Sequence, residues 1–155
     1  SFNFGSRPAV SGTITLTDNN NTPVTRTYMF INASGSGQPL VAEYQHEGKA
    51  EVTINVLRGA NAAASRDNFA FAVTGSGRPH RPQPGTGGFD GSINGNVLTL
   101  THAKGGPTSN TGITKSGLGG NPTSPSTFAG GADYKYGLRF AFDLEGEDVV
   151  TVILR

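Results

Sequence analysis

The sequence predicts a mainly β protein, an antiparallel meander of hairpins with one apolar sheet face. Three observations carry that prediction. Apolar and polar residues alternate cleanly around Ile14 and Leu16, along Val52, Ile54 and Val56, and along Tyr136, Leu138, Phe140 and Phe142. A period of two marks strands with one buried face. The 155 residues include Gly 23 and Pro 9, a turn-rich composition. No stretch stands out as a helix of normal length.

The length suits one domain with a real core. Cys 0 excludes disulfides and cysteine-based metal sites. A formal net charge of +1 gives no global signature for nucleic acid, so such binding needs a local patch. No apolar run approaches a membrane-spanning length, and no signal peptide is recognisable. The first residue, Ser1, suits removal of an initiator Met or a trimmed chain.

Taken in order, residues 1–11 are short and irregular, with Phe2 and Phe4 as anchors. Strands at 13–17 and 24–31 flank Asp18-Asn19-Asn20-Asn21, whose side chains favour a turn, and form an N-terminal hairpin. A loop at 32–39 leads to a third strand at 40–45. The stretch 49–74 is read as the central hairpin. Its first strand holds Val52, Ile54 and Val56. Arg58-Gly59-Ala60-Asn61 turns the chain, and a return strand follows at 68–73 with Phe69, Phe71 and Val73 on the apolar face. Residues 75–88 are rich in Pro and Gly. An inner hairpin within 89–103 turns at Asn94-Gly95. Residues 105–131 are low-complexity and read as a long loop ordered by its neighbours. A last sheet strand spans 134–144. The C-terminal segment 146–155 favours strand, although its Glu-Asp start also suits a short helix.

Catalytic chemistry needs clustered acid, base or nucleophilic groups. His46, His80 and His102 fall in a turn, the Pro-rich loop and a hairpin end, without metal-ligand spacing, and are expected on the surface. Asp18 to Asn21 lacks the Gly and distal Glu of a calcium loop. Two glycosylation triplets, at Asn20 and Asn32, arise readily by chance. The chain is therefore expected not to be an enzyme and to need no cofactor, metal or small-molecule substrate. The polar face of the central sheet would present Thr53, Asn55, Asn68 and Thr74. Lys49, Arg58, Arg66, Lys135 and Arg139 would lie on it or at its edge. Hydroxyls and amides can meet base edges while Arg and Lys meet phosphates. On composition alone, the plainer account is the solvated face of a half-covered sheet.

The order of elements resembles the coat proteins of the small single-stranded RNA bacteriophages, the levivirus group. The likeness runs through Ser1-Phe2-Asn3-Phe4, the Asp-Asn hairpin, Val41-Ala42-Glu43-Tyr44, Val52-Thr53-Ile54-Asn55-Val56, Ser65-Arg66 and the strand 134–144. It covers about residues 1–75 and 132–145, and rests on the ordered series rather than one motif. It implies an N-terminal hairpin on a five-stranded antiparallel meander sheet, in an α+β family with most of its helix missing here. It also implies dimers that join sheets edge to edge, an icosahedral shell, and single-stranded genomic RNA on the inner sheet face, where an RNA hairpin acts in translational repression. Thr53 and Asn55 match family RNA contacts, and Arg58 matches with a slip in register. Asn68 and Ala70 stand where the family has Thr and Lys. Lys135 and Arg139 are preferred over Tyr136 as inward groups, because Tyr136 alternates onto the apolar face.

Two departures stand out. The segment 75–131 is much longer than the family's loop before its last sheet strand. The family's two terminal helices are reduced to 145–155, so Phe69, Phe71, Phe140 and Phe142 need other cover. The N-terminal hairpin, the C-terminal segment and part of the insertion are expected to supply it. The resulting expectation is a single coat domain, 1–155. It comprises a hairpin (1–31), sheet (40–74 and 132–145), insertion (75–131) and C-terminal segment (146–155). Its partners would be itself and RNA, with no membrane, and it would reside in a virion assembled in bacterial cytoplasm. The RNA-binding residues would be Lys49, Thr53, Asn55, Arg58, Arg66, Asn68, Lys135 and Arg139. The alternative is a β-sandwich carbohydrate- or receptor-binding module, although Trp 0 leaves few sugar platforms.

Overall fold

Alternation along Thr13–Thr17 and Thr25–Ile31 becomes two paired strands, β2 and β3, in the computed structural model, which describes residues 1–20, 22–32, 51–75, 80 and 87–131. They pair antiparallel, with Thr15 opposite Thr27 and Thr17 opposite Thr25. Ile14, Leu16, Tyr28 and Phe30 point inward and are fully buried. The Asx turn between them is closed by Asp18. Its Oδ1 accepts from the backbone N–H of Asn20 (3.2 Å) and of Val24 (2.8 Å). The N-terminal hairpin is thus as the sequence predicts.

Strand β1 (Phe2–Asn3) precedes it, and β4 (Glu51–Leu57) follows. β4 lies parallel to β3, with Thr27 beside Thr53 and Met29 beside Asn55. A meander predicts antiparallel neighbours, so this pairing is a correction. Parallel neighbours need a crossover connection, and residues 33–50, including the expected strand at 40–45, lie outside the described residues. So does the expected strand at 134–144.

A second correction is larger. The expected return strand at 68–73 is part of a helix, α1 (Ala62–Thr74). The reason is legible in hindsight. Asn61 is an N-cap whose side chain accepts from the Ala64 N–H at 2.8 Å. Three alanines then open the first turn, and alanine has the best helix propensity. The buried positions Ser65, Phe69, Ala70, Ala72 and Val73 fall on one side of the helix. Phe69 is fully buried while Phe71 is 49 % exposed. A strand would have put both on the same face.

The inner hairpin forms as expected, from β5 (Phe89–Asn94) and β6 (Val97–His102). Its turn sits one residue later than the sequence suggests, at Gly95-Asn96. Gly95 takes φ +54°, which glycine adopts without strain. The low-complexity stretch does more than join elements. It supplies a 3-10 turn at Pro107–Ser109 and a strand, β7 (Ile113–Ser116), that pairs with β2.

The strands form two sheets, ordered β1-β6-β5 and β4-β3-β2-β7. Helix α1 packs against β4 of one sheet and against β5 and β6 of the other, and so fills the space between them. Phe69 is its hub. Its ring meets Tyr28 at 5.4 Å, Phe2 at 5.5 Å, Phe30 at 5.8 Å and Phe4 at 6.1 Å. The pairs with Tyr28 and Phe2 are edge-to-face, a geometry that adds to area burial. Cover for Phe69 therefore comes from the N-terminal arm and β3. Phe140 and Phe142 lie outside the described residues.

Candidate nucleic-acid interface

Alternation that buries Ile14, Leu16, Tyr28 and Phe30 turns threonines to the opposite face of the four-stranded sheet. Register then lines them up across strands. Thr114, Thr15, Thr27 and Thr53 form one row from β7 to β4, and Ser116, Thr13, Met29 and Asn55 form the next. Thr17 pairs with Thr25 beyond them. Hydroxyl-to-hydroxyl hydrogen bonds of 2.8 Å join Thr15 to Thr27 and Thr17 to Thr25. Thr53, Thr114 and Ser116 are exposed, whereas the central threonines and Asn55 are half-buried. The face is polar and carries no charge in these two rows. Hydroxyls both donate and accept, so such a face can meet base edges, ribose hydroxyls or sugars.

Thr53 and Asn55 thus sit together on one polar face, as the sequence predicts. The other expected contacts separate from them. Arg58 directly follows β4, and its Nη1 donates to Asn32 Oδ1 at 3.0 Å. Arg66 lies on α1, where it pairs with Asp67 at 2.6 Å and reaches the Gly95 carbonyl. Asn68 is also helical. Its Nδ2 donates to the Leu57 carbonyl at 3.0 Å and ties α1 to the end of β4. Ala70 and Thr74 are helical too, and the Thr74 hydroxyl donates to Ala70 O at 2.9 Å. A sheet face that includes Asn68, Ala70, Arg66 or Thr74 is therefore corrected: α1 takes them off the sheet. Lys49, Lys135 and Arg139 lie outside the described residues. Sequence reasoning missed Thr13, Thr15, Thr27, Thr114 and Ser116 as members of the face. Their alternation was visible, but their common row depends on strand register.

No protein-family model, curated protein or solved structure matches the chain.

The histidines also depart from expectation. His80 is fully buried rather than on the surface, and His102 is nearly so. His46 lies outside the described residues. His80 Nε2 lies 3.0 Å from the Val24 carbonyl, which can only accept, so Nε2 carries the proton. Nδ1 is then the acceptor for the Tyr28 hydroxyl at 2.8 Å. Burial pushes the His80 pKa down to about 4, against smaller opposing effects of the Val24 carbonyl and Asp18; Arg26 and His102 push it further down. His80 faces Phe89 at 5.2 Å, and Phe89 lies on His102 at 4.6 Å and on Phe128 at 5.0 Å. His102 Nε2 lies 3.0 Å from the Thr111 hydroxyl, which itself donates to Thr17 O at 2.7 Å. Its Nδ1 is therefore a buried acceptor, without a partner among the described residues. Burial lowers the His102 pKa as well, with Asp18 opposing. A cavity of about 740 Å³ opens beside His102, between β6 and the segment around Phe128. These four rings, all from the segment 75–131, form a packed column whose His80 end meets Tyr28 of β3 at 5.9 Å.

Proposed function

We propose that the chain is a structural coat-type subunit that self-assembles and carries single-stranded RNA. The observation that carries the reading is the hydroxyl ladder. Four strands present Thr114, Thr15, Thr27 and Thr53 as one row, beside a row ending in Asn55. Such a surface offers neutral, two-way hydrogen-bonding groups without sequence-specific charge. A shell with many copies of a weakly binding face holds a polymer through multivalency, which is compatible with a net charge of +1. Dimerisation would use a sheet edge. Among the described residues, β4 and β7 are the terminal strands of the four-stranded sheet, and a second copy adding at either would extend the ladder across both subunits.

The test is expression in bacteria, followed by size-exclusion chromatography, negative-stain microscopy and the ratio of absorbance at 260 and 280 nm. Uniform shells with a nucleic-acid-rich ratio are expected. Thr53→Glu, at an exposed ladder position, is expected to lower that ratio while shells still form. A monomer free of nucleic acid would refute the reading.

A further inference from the structure

We propose that Arg7 and Arg58 form a binding site for one phosphate group. A cavity of about 470 Å³ lies between the N-terminal arm and the β4–α1 turn. Its walls are Arg7, Asn32, Leu57, Arg58, Gly59 and Ala60. Folding thus brings two arginines from distant parts of the chain to one cavity, with no carboxylate among its described lining residues. Two positive charges at one cavity make it electropositive.

Asn32 Oδ1 takes one N–H of the Arg58 guanidinium, at Nη1, and a guanidinium carries five such donors. A charged fork that borders a cavity can hold an oxyanion there through charge-assisted hydrogen bonds. Both arginines stand on fixed backbone. The Arg58 N–H bonds the Ile31 carbonyl at 2.9 Å, which continues the β3–β4 ladder. The next residue, Gly59, takes φ +34° and packs so close to α1 that an added Cβ would lie 2.4 Å from Ala64 Cβ. Arg7 is held from both sides: the Ser6 N–H bonds Asn121 Oδ1 at 3.2 Å, and the Ala9 N–H bonds the Leu118 carbonyl at 3.0 Å. The backbone at both arginines is anchored in this way, which fixes the points from which the two side chains reach the cavity.

Phosphate fits this pair better than carboxylate. Two planar guanidinium forks offer more donors than two carboxylate oxygens can accept, and two positive charges suit a phosphate's charge and its several oxygens. The group has two sources: a phosphodiester of RNA, or a free phosphate monoester. The site stands whether or not the chain forms shells.

Arginine modification by phenylglyoxal, read residue by residue by peptide mass spectrometry, works on any assembly state. Inorganic phosphate at twice its dissociation constant is expected to slow modification of Arg7 and Arg58 about threefold relative to chloride at equal ionic strength. Arg26 and Arg66 are expected to keep their rates. Arg7→Gln, at an exposed position, is expected to abolish the protection of Arg58 by phosphate. A short single-stranded oligoribonucleotide without terminal phosphates serves as the second arm. Protection by the oligonucleotide assigns the diester, and protection by phosphate alone assigns the monoester; either supports the site. No protection in either arm, protection spread evenly over all arginines, or undiminished Arg58 protection in Arg7→Gln overturns it. RNA-filled shells in which neither the packaged RNA nor added phosphate protects the two arginines would refute this site and leave the packaging reading intact.

Discussion

Acid should destabilise this protein through His80, and the size of the effect follows from its burial. The ring is fully buried, donates from Nε2 to the Val24 carbonyl and accepts from Tyr28 at Nδ1. The neutral form fills both ring nitrogens, and protonation would place a positive charge in a site that burial has stripped of water. The folded pKa is about 4, against 6.5 for the unfolded chain. Between those values the unfolded state binds more protons, so stability rises with pH across that window. The contribution is fully present above about pH 6.5 and is lost as pH falls towards about 4. The whole difference corresponds to about 3 kcal/mol, of which about 2 kcal/mol is lost between roughly pH 7.5 and 5. Urea denaturation followed by circular dichroism at a series of pH values measures it directly. His80→Gln should be less stable at neutral pH, because it loses ring packing on Phe89, but its pH slope should be shallower by about one proton. His102→Gln should flatten the slope as well, since burial lowers that pKa too. An unchanged slope in His80→Gln, or a His80 ring resonance that titrates near 6.5, would refute the reasoning.

Further substitutions at Phe69, Phe71 and Asn61 test the helix at 62–74. Phe69→Ala should cost about 3–5 kcal/mol, because it empties the hub of the ring cluster, whereas Phe71→Ala at a half-exposed site should cost under about 1 kcal/mol. Equal losses in denaturation experiments would point back to a strand. Asn61→Ala should remove the N-cap bond to Ala64 and cost about 1 kcal/mol, while Asn61→Asp should retain most of it, measured by the same unfolding midpoints.

Local chemistry was enough for the two hairpins that formed. Asp18 and Asn20 close one turn and Gly95 opens another, because each of those conformations depends on one or two side chains. The alternation in β2, β3 and β4 was equally local, and it correctly separated Ile14, Leu16, Ile54 and Val56 from the polar face. The mainly β class followed from that.

What only the tertiary structure decided lies where local signals are ambiguous or silent. Over the few residues from Asn68 to Val73, a period of two and one face of a helix both place Phe69 and Val73 inward. The choice fell to Asn61, the alanine run and the space between two sheets, and α1 won. The parallel pairing of β3 and β4 was hidden because alternation specifies which face is buried and not which neighbour a strand takes. The low-complexity stretch held a sheet strand that gains its stability from β2 rather than from its own composition. His80 looked like a loop residue because nothing adjacent to it in sequence buries it; Tyr28, Val24 and Phe89 do. The same holds for function. The sequence supplied the threonines and the arginines, but register made the threonines a ladder, and chain path put Arg7 beside Arg58. Side-chain types are encoded locally, while sites are made of residues that meet only after long-range contacts have formed.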